Sequence, residues 1–289
     1  MEFQAKTTSN PLSMFMRQPK IFIRLPSNGA FWPEGSLQMS ETGEFPVYAM
    51  TAKDELALKI PDALMNGQAV VDVIENCVPN IKNAWHTPNI DLDYILIAIR
   101  IATYGEMMTV PIGDGKELEL EYEVDLRLVM DQLLSQVYWD ETVPITDELT
   151  VFVKPVNYKQ MADAAIQTFE AQKIIRMVND ESIDEETKVK IFKESFSKLT
   201  KNTLAVIANS ISRVDSVHGS TDNPEHILEF VSNVEKPIFK KIESHLEHLK
   251  EVNTVKPLKV AVTEEMRSAG ITGEFFEIPL TFDPSTFFV

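Results

Sequence analysis

Asp91-Leu92-Asp93-Tyr94-Ile95-Leu96-Ile97-Ala98-Ile99-Arg100-Ile101-Ala102-Thr103-Tyr104-Gly105, DLDYILIAIRIATYG, is apolar almost all the way round a helix. Its early acids suit the positive end of the helix dipole, and the glycine at its exit suits a C-terminal cap. A helix without a wet face must be surrounded, so this one is expected at the centre of the N-terminal half. Arg100, the only charge in its middle, then needs a carboxylate such as Asp93 or Glu106, or a route to the surface.

What surrounds it is readable upstream. Lys20 to Leu25 alternates like a strand and ends in the turn residues Pro26-Ser27-Asn28-Gly29, and Phe45 to Met50 supplies a second strand able to pair with the first. Thr51 with Asp54 three residues on forms a capping-box variant that starts a helix over Ala52 to Lys59, stopped by Pro61. Gln68 to Cys77 places Val70, Val73, Ile74 and Cys77 on one side of a further helix, so Cys77 reads as a small core residue. Residues 1–19 are polar, carry no clear period and read as a loose arm.

Downstream, KELELEYEVDL (residues 116–126) follows a Gly-Asp-Gly turn. In an extended chain Glu117, Glu119, Glu121, Glu123 and Asp125 share one face, while Leu118, Leu120, Tyr122, Val124 and Leu126 share the other. Such carboxylates lie about 6 to 7 Å apart, too far apart to converge on one calcium ion. The acidic face therefore meets water or a basic partner, and it is a candidate docking surface. A short helix around Val129 to Val137 and a strand at Leu149 to Val153 come next.

Tyr158 to Val252 contains one glycine, Gly219, and reads as three helices. Met161, Ala165, Phe169 and Ile175 share a face of the first. The second, Glu185 to Val214, repeats Val189, Phe192, Phe196, Leu199, Thr203, Val206 and Ser210 at alternating three- and four-residue steps, the period of a coiled-coil seam. That seam, with Phe192 and Phe196, forms either an intramolecular core, the preferred reading, or a groove for a client helix or another copy. The third opens with the cap Asp222-Asn223-Pro224-Glu225 and is expected to bend at Pro237. Strands return at Leu258 to Val262 and Gly273 to Phe282.

The class is thus α+β: N-terminal strands and buried helices, a small antiparallel β module, and a long three-helix insertion. The expected divisions are the arm (1–19), an α+β core with the first half of the β module (20–157), the helical insertion (158–252), and C-terminal strands returning to the module (253–289). Trp32, beside Phe31 and Pro33, is a candidate interface anchor, or packs over a sheet edge; Phe287 and Phe288 are candidate anchors near the C-terminus.

With 44 acidic against 27 basic residues the formal charge is -17, which opposes any unassisted grip on nucleic acid. The single cysteine allows no intrachain disulfide and no cysteine-based zinc cage, and the N-terminal stretch contains no signal-peptide core or membrane span. His245-Leu246-Glu247-His248 is the most metal-like local arrangement. It lacks a third ligand and has the wrong spacing for the familiar two-histidine helix motif, so a metal-dependent hydrolase is the weakest reading. No phosphate loop, nucleophile elbow or kinase signature occurs, and no cofactor is implied.

Leu25-Pro26-Ser27-Asn28-Gly29, Asp54-Glu55-Leu56, Pro61-Asp62-Ala63-Leu64, Asn66-Gly67 and Ile90-Asp91-Leu92-Asp93 occur in order, and with the ending EIPLTFDPSTFF they resemble the T4-type bacteriophage baseplate hub and tail assembly protein family. The resemblance covers Leu25 to Gly105 closely. It implies a non-enzymatic part in building a phage tail baseplate. Two roles stay open: a transient assembly factor or chaperone for a tail component such as the tape-measure protein, and a permanent subunit of the virion baseplate. The implied partners are other tail or baseplate proteins, with neither nucleic acid nor membrane. The implied location is the host cytoplasm during assembly, or the virion baseplate. Relatives in this family resemble one another in two Cys-x-x-Cys pairs that would form a zinc ribbon; here Val110 to Gly115 and Val262 to Met266 stand at those places without cysteine. The two halves, Thr109 to Leu126 and Leu258 to Phe282, are then expected to meet as one metal-free module.

Overall fold

Strand β1 (Pro19–Ile23) pairs antiparallel with β2 (Phe45–Tyr48), as their patterning suggests, in a computed structural model that describes residues 12, 16–60, 66–112, 120–178, 184–268, 271–280 and 287–288. Helix α1 (Ala52–Leu58) begins on the expected reciprocal cap between Thr51 and Asp54. Helix α2 (Gln68–Cys77) buries Val70, Val73, Ile74 and Cys77, and burial pushes the Cys77 thiol up to about 12, leaving it an unreactive core group. Arg17, at the end of the segment read as a loose arm, donates to the carbonyls of Ala49 at 2.9 Å and Asn76 at 2.6 Å; residues 1–11 and 13–15 of that arm lie outside the described residues.

Helix α3 (Asn89–Tyr104) is the surrounded helix that its composition requires: Ile95, Ile97, Ala98 and Ile99 are inaccessible to solvent. Its position is set by Asp91. That side chain lies in the first turn of α3, is fully buried, and accepts hydrogen bonds from the Ser27 amide at 2.8 Å, the Ser27 hydroxyl at 2.5 Å and the Trp32 indole N–H at 2.8 Å. The turn it holds is itself constrained, since Asn28 and Gly29 take φ of 52° and 83°, and a Cβ on Gly29 would stand 2.7 Å from the Met39 sulfur. Burial pushes the Asp91 carboxyl up while its three donors pull it down.

Arg100 finds neither expected carboxylate. It donates to the Phe287 carbonyl at 2.6 Å and lies 5.3 Å from the ring centres of both Tyr104 and Phe287, while Glu106 pairs instead with Arg127 at 2.9 Å. Phe287 and Phe288 are buried in the same core as α3, and Tyr104 donates to the Phe288 carbonyl at 3.0 Å. They close a core rather than present a surface, and their burial surrounds a cation that no carboxylate among the described residues reaches.

After α3, β3 (Met107–Ile112) and β4 (Leu120–Asp125) form a two-stranded antiparallel sheet that runs into α4 (Leu126–Gln136). Strands β5 (Thr142–Thr146) and β6 (Leu149–Val153) follow, then α5 (Tyr158–Val178) and α6 (Glu185–Asn209). The sequence reading carries the second insertion helix on to Val214, but the chain turns into strand at Ile211. β7 (Ile211–Ser216) pairs with β6, β8 (Gly219–Thr221) pairs with β7, and the four strands run in order β5-β6-β7-β8. The error has a physical source. Phe152 faces Arg213 and Val153 faces Ile211, so Ser212 is an extra residue in the ladder, and this bulge lets Ile211 and Val214 both turn to the core at a helix-like spacing of three.

The third insertion helix is two. α7 (Pro224–Asn233) ends at Val234, where the backbone is extended, and α8 (Lys236–Asn253) restarts with Pro237 in its first turn, a place that a proline fits better than a bend in mid-helix. Ile227 and Val231 of α7 and Ile242 and Leu249 of α8 pack with Val143, Val151, Val153 and Val214 into a second core. Finally β9 (Leu258–Ala261), the short α9 (Glu264–Ser268) and β10 (Phe275–Ile278) close the described chain, β9 and β10 forming their own two-stranded sheet. The two halves of the expected β module do meet, through side chains: Val110, Leu120 and Tyr122 pack against Val260, Val262, Met266 and Ile278. Among the described residues no backbone ladder joins the two hairpins.

Two consequences are measurable. Asp91→Ala leaves three buried donors without an acceptor and is expected to lower unfolding free energy by about 3–5 kcal/mol in chemical denaturation; a loss below about 1 kcal/mol contradicts the anchoring role. Asp93, half-buried on α3 with no hydrogen-bond partner among the described residues, has its carboxyl raised to about 6 by burial. Because the folded-state value lies above the unfolded one, ionisation costs stability as pH rises from about 4 to about 6 and the full cost persists above. Asp93→Asn is therefore expected to stabilise the protein by about 1–3 kcal/mol at pH 7.5 and to give no gain near pH 4; an equal effect at both pH values refutes this.

Candidate partner-binding surfaces

The acidic strand keeps the alternation read from sequence along its described part. Val124 is buried, Leu120 and Tyr122 are half-buried, and Glu121 and Glu123 are exposed. Opposite them on β3 stand Pro111 and Thr109, so the ladder offers these two carboxylates no cation. Asp125 differs from them. It accepts from the Arg127 amide at 2.9 Å and caps α4, and the Arg127 side chain beside it holds its carboxyl below the usual range. Its role is local, which sequence alternation alone does not reveal. Glu117 and Glu119 lie outside the described residues.

Trp32 also proves structural. Its indole reaches Asp91 and its ring packs against the main core, while the neighbouring Phe31, at φ 66°, turns out to meet Trp139 edge-on at 5.9 Å. With Phe287 and Phe288 buried, three of the aromatic candidates serve the interior.

Phe192 and Phe196 do the opposite. They are 55% and 64% exposed, and their rings stack on each other at 6.4 Å. The preferred sequence reading put this seam inside the molecule; the structure turns it outward. Elsewhere on α6 Ser195 is buried, and near the root Ile207 and Ala208 are buried where the helix joins the second core. Val189 and Val206 extend the exposed stripe, and Met161, Ala165 and Phe169 are exposed on α5. Periodicity identified these residues as a coherent face but could not say which way the face would point.

The root of this helical hairpin is firmly set. The Asn89 amide donates to Val156 and the Tyr158 amide to Thr87, each at 2.9 Å, joining the start of α5 to the turn before α3. Tyr158 stacks on Trp85 at 5.7 Å, and Asn157 and Gln160 cap α5 reciprocally. Gly67, at φ 80°, lets the chain pass against this stack, where a Cβ would lie 3.1 Å from the Tyr158 hydroxyl. The hairpin also differs electrically from the rest. Residues 158–209 contain eight acidic and eight basic side chains, so the formal charge of -17 resides entirely in the remainder.

His245 bonds to the Asp140 carbonyl at 2.9 Å, tying α8 to the loop before β5, and His248 is exposed. Among the described residues no group of three His, Cys, Asp or Glu is placed to hold a metal ion, and no helix is long and apolar enough to cross a membrane.

No curated protein and no solved structure matches the chain. The family model described as T4 bacteriophage base plate protein matches residues 19–276, most of the chain and both of its larger cores. The chain belongs to the T4 bacteriophage base plate protein family.

Proposed function

We infer that this baseplate-family protein is non-enzymatic and acts during tail assembly in the host cytoplasm, holding another tail component until the baseplate hub is built. The tape-measure protein is the client class that the family resemblance suggests. One observation carries the reading: the Phe192–Phe196 stripe stands exposed on a hairpin whose root is fixed, while the apolar faces of α2, α3, α7 and α8 are closed into cores. An apolar helix face of this kind is built to bury a partner's helix. The exposed Glu121 and Glu123 offer a second, polar contact to a basic neighbour.

The test is capture from phage-infected cells with the full chain as bait, alongside quantitative mass spectrometry of purified virions. The expected result is recovery of a phage tail protein before assembly and sub-stoichiometric presence in the finished particle. Recovery at full baseplate stoichiometry in virions defeats the transient role and makes the protein a permanent subunit. Capture of no tail protein defeats the binding role itself.

A further inference from the structure

The exposed stripe has a distinctive electrostatic setting. From Lys188 to Lys201, α6 carries five lysines and one acid, Glu194, in a protein whose formal charge is -17. Heptad geometry sorts them. With Val189, Phe192, Phe196, Leu199, Thr203 and Val206 as the apolar positions, Lys188, Ser195 and Asn202 fall on one flank, and Lys193 falls on the other, one heptad after Glu186, with Lys190 behind it. Lys193 and Lys190 are both exposed. A second copy pairing in parallel along the same stripe would bring Lys193 of one chain beside Lys188 of the other, and in either direction the remainder of each chain would add like negative charge.

We propose that the outer face of α6 binds an amphipathic helix of another protein whose apolar edge is flanked by glutamate or aspartate. The proposal deepens the tail-assembly reading and rests on it, by assigning the client's chemistry. Phe192 and Phe196 supply the aromatic anchors, Val189 and Val206 extend contact along the helix, and Lys193 and Lys190 select the acidic flank. The stripe from Val189 to Val206 spans about 25 Å, the length of a partner helix of roughly five turns. An aromatic centre with a charged margin is the arrangement that gives both affinity and partner choice at an interface.

The experiment uses the full chain and two synthetic helices of about four heptads, each with leucine at the apolar positions, one flanked by glutamate and the other by lysine. Fluorescence anisotropy is expected to show the glutamate-flanked peptide binding at least about tenfold more tightly, with the difference shrinking at high salt. Phe192→Ser combined with Phe196→Ser should weaken that binding at least about tenfold while the circular-dichroism melt is unchanged, because both rings are exposed. Lys190→Glu with Lys193→Glu should reverse the peptide preference. Equal binding of the two peptides, absence of binding, or binding untouched by the phenylalanine substitutions overturns the proposal. So does a self-association, seen by sedimentation, that the same phenylalanine substitutions abolish, since a second copy would then be the occupant. If the peptides fail while infected-cell capture still recovers a tail protein, only the docking assignment falls; if capture also fails, the assembly reading falls with it.

Discussion

Everything in the N-terminal half is referred to one buried carboxylate. Asp91 gathers the amide and hydroxyl of Ser27 and the indole of Trp32 at the mouth of α3, in a place where water cannot compete. Apolar packing alone would let a helix as evenly greasy as α3 rotate or slide among its neighbours, since nearly any of its faces satisfies the hydrophobic effect. Three directional bonds to a single side chain remove that freedom. Once the helix is fixed, the β1–β2 pair, which leads into the Leu25–Gly29 turn, has one place to lie, and α2 has one face to offer. The same helix mouth receives the start of α5 through Thr87 and Asn89. Core and protruding hairpin are therefore oriented from one point.

The protein divides its charge and its apolar surface unequally. Its acids crowd the body, where they keep the surface wet and repel nonspecific contacts, whereas the hairpin is neutral overall and carries the exposed phenylalanines. The hairpin thus differs from the body in both its charge and its exposed aromatic surface. The two small hairpins β3–β4 and β9–β10 meet through Val110, Tyr122, Val260 and Ile278, and among the described residues side-chain packing, with no shared ladder, joins them.

Local pattern made much of this legible. The Thr51 capping box, the apolar side of α2 and the alternation of β4 depend on residues within a turn or a few positions of one another, and they stand as read. What sequence could not supply was destination. Asp91 is one of many acids until Ser27 and Trp32, about sixty positions away, are seen to need it. The Phe192 seam has the period of a core, yet period says only that side chains share a face, not whether that face meets protein or water. Ser212 shifts the strand alternation by one residue and so disguises Ile211 to Val214 as a helix. Arg100 reads as a cation that needs a carboxylate or a route to the surface, but among the described residues its company is a carbonyl and two aromatic rings, which no charge pattern announces.

The Arg100 contact has a consequence for how the molecule comes into being. Its acceptor, the Phe287 carbonyl, lies 187 positions further along the chain, beyond both the hairpin and the second core. During synthesis the N-terminal core emerges first, and its arginine and aromatic slot stay unfilled while α5 to α8 are made. Translation thus imposes an order of emergence: the segment that carries the exposed phenylalanines leaves the ribosome before the residues that seal the body. The Phe287–Phe288 pair acts as a keystone, set only after the elements it holds have been made.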